Sequence, residues 1–156
     1  QDDSLNGGQG NDNLNGKQGS DTYIGGTGND NFILSSGDSI ASLSGADKIT
    51  DFSSGQDKIK AGVAGNTLGE FSAVAGTTGD TFSVALTSAN NAFTSVNSQS
   101  YFMTSYGNIG DNSVQGVLFL NLDNNSSADG TVLLGTGNGN NMTTESLICL
   151  STDIIV

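Results

Sequence analysis

Gly7-Gly8-Gln9-Gly10-Asn11-Asp12-Asn13-Leu14-Asn15 is followed at once by Gly16-Lys17-Gln18-Gly19-Ser20-Asp21-Thr22-Tyr23-Ile24 and then by Gly25-Gly26-Thr27-Gly28-Asn29-Asp30-Asn31-Phe32-Ile33. These are three nine-residue units in phase. Positions 1 and 4 are always Gly, position 6 is always Asp, and position 8 is always large and apolar. A truncated unit precedes them, with Asp3 at position 6 and Leu5 at position 8. A flexible Gly/Asn linker has no reason to repeat an apolar side chain at that interval.

The first six residues of each unit are mostly Gly, Asn, Asp and Ser. They cannot sustain a helix, and they suit a turn with positive φ at glycines. The last three, with one central apolar side chain, suit a short strand with a single inward position. Two units then make one coil of about eighteen residues, and same-side strands stack in parallel about 4.8 Å apart. The spacing predicts Leu5 on Tyr23 and Leu14 on Phe32, inside a thin two-sheet roll. It sets Asp3 near Asp21 on one rim and Asp12 near Asp30 on the other.

Those carboxylates decide the chemistry. Like charges at about 4 Å repel by roughly 1 kcal/mol even in water. A single apolar side chain per unit cannot offset that and the chain entropy of about 1–2 kcal/mol per residue. A cation in each turn converts the repulsion into attraction. Carboxylate and backbone carbonyl oxygens favour a hard ion, and a flexible cage of about six to eight oxygens suits Ca²⁺ better than Mg²⁺.

At these residues the chain resembles the RTX (repeat-in-toxin) family, whose pattern G-G-x-G-x-D-x-U-x is a calcium-binding nonapeptide. The resemblance implies a short parallel β-roll, with Ca²⁺ held between turns by position-6 carboxylates and turn carbonyls. Carried over by position, the metal residues are Asp3, Gly7, Gly8, Gly10, Asp12, Gly16, Gly19, Asp21, Gly25, Gly26, Gly28 and Asp30. Lys17 departs from the pattern, which prefers Gly there; it is expected to strain its turn and to bring a positive charge near an ion site. After Ile33 the phase breaks in Leu34-Ser35-Ser36-Gly37-Asp38-Ser39, where Asp38 falls at position 5 and is a further candidate ligand on the Asp21 side.

Ala46-Asp47-Lys48-Ile49-Thr50-Asp51-Phe52-Ser53-Ser54-Gly55-Gln56-Asp57-Lys58-Ile59 is an internal near-duplication of Asp-Lys-Ile. It reads as two short strands around a Gly turn, with Ile49, Phe52 and Ile59 inward. The segment resembles the one that follows the repeats in serralysin-type exoproteases, and here it is expected to cap the roll. Asp47, Asp51 and Asp57 read either as an added Ca²⁺ site or, more plainly, as salt-bridge partners of Lys48 and Lys58.

From Ala61 onward there is no nine-residue repeat. Short apolar runs alternate with Gly, Asn, Ser and Thr: 71–75, 81–86, 101–103, 117–120, 131–134 and 148–150. They predict strands, while Ser88–Val96 is left open between a short helix and a loop. The expected fold is all-β: a short parallel β-roll capped by, and packed on, an antiparallel β-rich C-terminal module. The expected division is 1–40 roll, 41–60 cap and 61–156 module. Oxygen side chains at Asp123, Asn125, Ser127 and Asp129 loosely suggest a calcium loop, but an ordinary hairpin loop is the plainer reading.

Composition narrows the function. The chain has 156 residues, with 4 basic against 16 acidic side chains, no His and a net charge of −12. Nucleic acid is excluded as a phosphate-bound partner. The absence of His leaves no triad and no ordinary zinc site, so the chain is not expected to be an enzyme. The single Cys149, in an apolar run, reads as a buried hydrophobe. The sequence opens on Gln1, in mid-unit, which suggests the C-terminal piece of a longer protein. No signal-peptide pattern is present.

The sequence closes on Asp153-Ile154-Ile155-Val156. An acidic residue before three apolar ones resembles the end of type I secretion substrates such as serralysin-type proteases, which an ABC transporter reads. Together these features describe a calcium-binding module of a secreted bacterial protein, extracellular or at the cell surface. It is expected to be unfolded at low Ca²⁺ and to fold after export. The alternative is a structural module of a surface-layer protein, filament or adhesin that self-assembles through calcium.

Overall fold

In the computed structural model the described residues are 1–61, 71–73, 81–93, 100–106, 115–122, 127–134 and 154–155. Strands β1 (Ser4–Gln9) and β3 (Thr22–Thr27) pair in parallel, with Leu5 opposite Tyr23. Strands β2 (Asn13–Leu14) and β4 (Asn31–Leu34) do the same, with Leu14 opposite Phe32. Both registers are offset by eighteen residues, as the nine-residue period requires.

Each of these pairs grows by one strand from the Asp-Lys-Ile duplication. Strand β5 (Asp47–Ile49) adds in parallel to β3, and β6 (Lys58–Ala61) adds in parallel to β4. Tyr23 thus lies over Ile49, and Phe32 over Ile59. Successive strand residues face opposite sides, so the inward positions of the two sheets meet in one core. Tyr23, Phe32, Ile49 and Ile59 have no exposed surface, and Leu14, Leu34 and Phe52 are nearly as buried. The Tyr23 and Phe32 rings meet edge to face with centroids 6.0 Å apart, and Phe52 stands 6.1 Å beyond Phe32.

The larger sheet continues past β5. Strand β10 (Gly130–Leu134) pairs with it in parallel, placing Val132 opposite Asp47. Strands β9 (Gln115–Asn121) and β8 (Ser100–Tyr106) follow antiparallel, and β7 (Phe71–Ala73) closes the sheet parallel to β8. The seven-stranded order is β1-β3-β5-β10-β9-β8-β7. The smaller sheet runs β11-β6-β4-β2, with β11 (Ile154–Ile155) parallel to β6. The second half is therefore mixed rather than antiparallel throughout.

One segment departs from the expected strands. Residues 82–86 belong to helix α1 (Phe82–Phe93) rather than to a strand, with Thr81 just before it, and Ser88–Phe93 completes that helix. Ala85, Ala89 and Phe93 recur at four-residue spacing and are buried. They pack on Val117 and Phe119, while Leu118 and Leu120 on the opposite face of β9 join the main core. Phe82 reaches the Phe119 ring at a centroid distance of 5.6 Å. The Thr81 carbonyl accepts the Ala85 N–H at 3.1 Å, closing the first turn. The runs at 74–75 and 148–150, with Cys149, lie outside the described residues.

Candidate functional site: two ladders of aspartates

The turns have the backbone that the glycines anticipate. Position 2 lies at φ 91° in Gly8, 67° in Lys17 and 97° in Gly26. Lys17 is the one described non-glycine residue with positive φ. A side chain in that region costs roughly 1–2 kcal/mol, so the departure at Lys17 does strain its turn.

The position-6 aspartates form two ladders. On one rim, Asp21 Oδ1 accepts the Asp3 N–H at 2.7 Å. On the other, Asp30 Oδ1 accepts the Asp12 N–H at 2.9 Å. The ladders continue into the following segment in a way that the nine-residue phase does not signal. Asp47 Oδ1 accepts the Asp21 N–H at 2.9 Å, and Asp57 Oδ1 accepts the Asp30 N–H at 3.0 Å. The successive separations are 18 then 26 residues on the first rim, and 18 then 27 on the second. Position 5 supplies a parallel set: Ser20 N–H donates to Asp2 Oδ1, and Asn29 N–H to Asn11 Oδ1, both at 2.9 Å.

Asp51 does something different. Its two oxygens take the Gly25 and Gly26 N–H groups at 2.9 and 2.8 Å, clamping the last complete turn. Asp57 is likewise filled, since its Oδ2 accepts the Ser53 N–H at 2.8 Å. Backbone N–H groups thus hold both Asp47 and Asp57. Asp38 uses Oδ2 on the Ser35 N–H within its own turn, and its carbonyl takes the Gly19 N–H at 3.1 Å.

The second oxygens of the ladders are the open question of the site. Asp12 Oδ2, Asp21 Oδ2 and Asp47 Oδ2 are buried and have no hydrogen-bond partner. A buried carboxylate oxygen left this way is costly. Asp12 Oδ2 and Asp21 Oδ2 each face a position-1 glycine. A Cβ on Gly7 would come within 2.7 Å of both Asp12 Oδ2 and the Gly25 carbonyl oxygen. A Cβ on Gly16 would strike Asp21 Oδ2, and one on Gly25 would meet Asp30 Oδ2 at 2.5 Å. Carboxylate and carbonyl oxygens thus converge where glycine leaves room. That donor chemistry fits a hard cation. Among the described residues no three His, Cys, Asp or Glu side chains gather as a metal cluster, so backbone carbonyls would have to supply much of any cage.

The charges register the crowding. Burial pushes the Asp47 carboxyl up to about 7, helped by the charges of Asp21 and Asp38 and opposed by the Asp21 N–H. Burial also raises Asp57, with Asp30 and Asp51 adding to it and the N–H groups of Asp30 and Ser53 holding it back. The Tyr23 hydroxyl is pushed well above its ordinary value, first by burial and then by Asp47. It accepts the Gly16 N–H at 3.1 Å, which seats it beneath the second turn.

Other expected residues fall elsewhere. Asp129 Oδ2 takes the Leu122 N–H at 2.6 Å within the β9–β10 connection, the role of a loop-shaping residue. Asp123 and Asn125 lie outside the described residues, as do Asp153 and Val156. Ile154, between the last two, is buried in the main core beside Ile59. No described helix is long and apolar enough to cross a membrane.

A family model described as Peptidase M10 serralysin C terminal matches residues 3–132. The match spans both ladders, the duplicated segment, β7–β9 and the start of β10. A search of the curated proteins gives no match.

Proposed function

The chain belongs to the serralysin C-terminal family, the non-catalytic region of serralysin-type M10 peptidases, and on that footing we propose that it is a calcium-controlled folding module of a type I secreted protein. The family supports RTX-type calcium binding and secretion in general terms. The finer reading rests on one observation, the buried and unpartnered second oxygens of Asp12 and Asp21 facing the position-1 glycines Gly7 and Gly16.

In this reading residues 1–40 are the end of a β-roll, 41–60 cap it, and 61–156 form the module that carries the export signal. Asp3, Asp12, Asp21 and Asp30, with Asp38 beside them, hold the ions together with carbonyls of Gly7, Gly8, Gly10, Gly16, Gly19, Gly25, Gly26 and Gly28. Calcium, when bound, supplies the positive charge that cancels the repulsion along the ladders. Without it, the aspartates oppose stacking of the coils and the chain stays extended enough to be threaded. Binding free energy then becomes folding free energy outside the cell. The segment Asp153–Val156 is read by the ABC transporter before folding.

Calorimetric titration with Ca²⁺ tests the assignment. Replacing Asp12 and Asp30 together by Ala should weaken binding at least tenfold, whereas Glu70→Gln, in the unrepeated half, should leave it unchanged. Equal losses from both would refute the ladder as the binding element.

A further inference from the structure

Position 1 of the repeat has to be glycine, because a Cβ there strikes the position-6 aspartate: Asp12 at Gly7, and Asp21 at Gly16. Wherever position 9 is Asn, the boundary between units is therefore an Asn-Gly pair. Asn6-Gly7 and Asn15-Gly16 are such pairs, whereas Ile24 precedes Gly25. In an Asn-Gly pair the glycine nitrogen can attack the asparagine side-chain carbonyl, since no side chain on the glycine hinders its approach.

The two pairs sit differently. Asn6 lies within β1, opposite Ile24 of β3, where extended backbone turns the next nitrogen away from the ring-closing position. Asn15 is exposed and lies outside the strands. Its Oδ1 accepts the Lys17 N–H at 3.0 Å. That donor polarises the amide and is aimed at the oxygen on which charge develops when nitrogen adds to Cγ. The nucleophile, however, is withheld. The Gly16 N–H donates to the Tyr23 hydroxyl at 3.1 Å, and Tyr23 has no exposed surface.

We propose that Asn15-Gly16 is a deamidation site latched by the Tyr23 hydroxyl. When that hydrogen bond opens, the Gly16 nitrogen gives its proton to water and forms a bond to Asn15 Cγ. The Cγ–Nδ2 bond then breaks, and Nδ2 gains a proton and leaves as ammonia. The succinimide takes up water at either carbonyl and opens to aspartate or isoaspartate, with no change of oxidation state. Aspartate adds a negative charge to the turn. Isoaspartate also inserts an extra methylene into the main chain directly before Gly16, where the Asp21 carboxylate leaves no space for a shift. The second turn then cannot close again on the same contacts. The latch is a hydrogen bond within the protein and stands whether or not the turns hold calcium.

Peptide mapping by mass spectrometry tests this on the whole 156-residue chain, aged at pH 8 in millimolar Ca²⁺, by following amide-to-acid conversion at Asn15 and Asn6. Tyr23→Phe keeps the ring in the core and removes the acceptor. It should deamidate at Asn15 about two- to tenfold faster than the wild type, the worth of one hydrogen bond, with the rate at Asn6 unchanged. A variant that merely loosened the fold would speed both pairs together. Equal acceleration at the two, or none at Asn15, overturns the proposal. The wild-type chain provides a second measurement, free of any variant's folding: unfolded in urea, where the latch is gone, Asn15 should react faster than in the folded chain. An Asn15 that reacts as fast folded as unfolded would equally overturn the latch.

Discussion

Replacing Asp47 by Asn should stabilise the chain in chelator and weaken its response to calcium. In the folded protein Asp47 is fully buried, and its carboxyl is raised from 3.8 to about 7. A carboxylate raised in the folded state binds its proton more tightly there than in the unfolded chain. Its charged form therefore opposes folding above the folded value, and the penalty is relieved as pH falls from about 7 towards 4. Each unit of difference is worth about 1.4 kcal/mol. A rise of about three units gives a penalty on the order of 4 kcal/mol at pH 8. Asn removes the charge and keeps an acceptor for the Asp21 N–H, but its amide group must sit where Oδ2 had no partner. A net gain of about 2–3 kcal/mol is expected. Urea unfolding in EDTA, in enough trimethylamine N-oxide to fold the wild-type chain without calcium and followed by circular dichroism at pH 8 and pH 5, measures it directly. With a slope of about 1–3 kcal/mol per molar urea, the midpoint at pH 8 should rise by roughly 1–2 M. The wild-type midpoint should itself rise on acidification to pH 5, and the variant's should rise much less. A variant less stable than wild type at pH 8, or a wild-type chain indifferent to pH between 5 and 8, would refute the reasoning.

Other perturbations separate the Asp51 clamp from the proposed ion sites. Asp51→Ala removes the acceptor of two N–H groups on Gly25 and Gly26 and should cost about 2–4 kcal/mol; thermal melts at saturating Ca²⁺ should show the loss while calorimetry shows the number of bound ions unchanged, since the clamp involves no ion. Gly7→Ala places a methyl group within 2.7 Å of Asp12 Oδ2 and the Gly25 carbonyl; calorimetry should show Ca²⁺ affinity at the first rung reduced at least tenfold. Lys17→Gly relieves a residue at φ 67° and should raise the urea midpoint in Ca²⁺ by an amount equal to about 0.5–1 kcal/mol.

The repeat made the stacking legible because it imposes one inward side chain and one rim carboxylate per unit. Leu5 over Tyr23, Leu14 over Phe32, and the Asp3–Asp21 and Asp12–Asp30 neighbours all follow from adding eighteen residues. The continuation through Asp47 and Asp57 was hidden because residues 34–46 intervene and lengthen the step to 26 and 27 residues. The matching Asp-Lys-Ile duplicates mark the two strands, but only the parallel pairing of β5 on β3 and β6 on β4 shows that their aspartates extend the ladders. Helix α1 was misread because Thr81-Phe82-Ser83-Val84-Ala85-Leu86 alternates like a strand. Its buried stripe of Ala85, Ala89 and Phe93 relies on alanines, which give a weak apolar signal. A cap at Thr81, whose Oγ1 accepts the Val84 N–H at 3.4 Å, was the available cue. The join between β5 and β10 crosses some eighty residues and has no local sequence signature.

On the proposed reading the aspartate ladders make folding depend on calcium. Far-ultraviolet circular dichroism of the whole chain, titrated with Ca²⁺ from chelator to millimolar concentrations at pH 8, tests it most directly. The expected outcome is a weak β-signal in EDTA, a cooperative gain as Ca²⁺ is added, and reversal when chelator is restored. A spectrum and melting temperature that are the same with and without Ca²⁺ would contradict it.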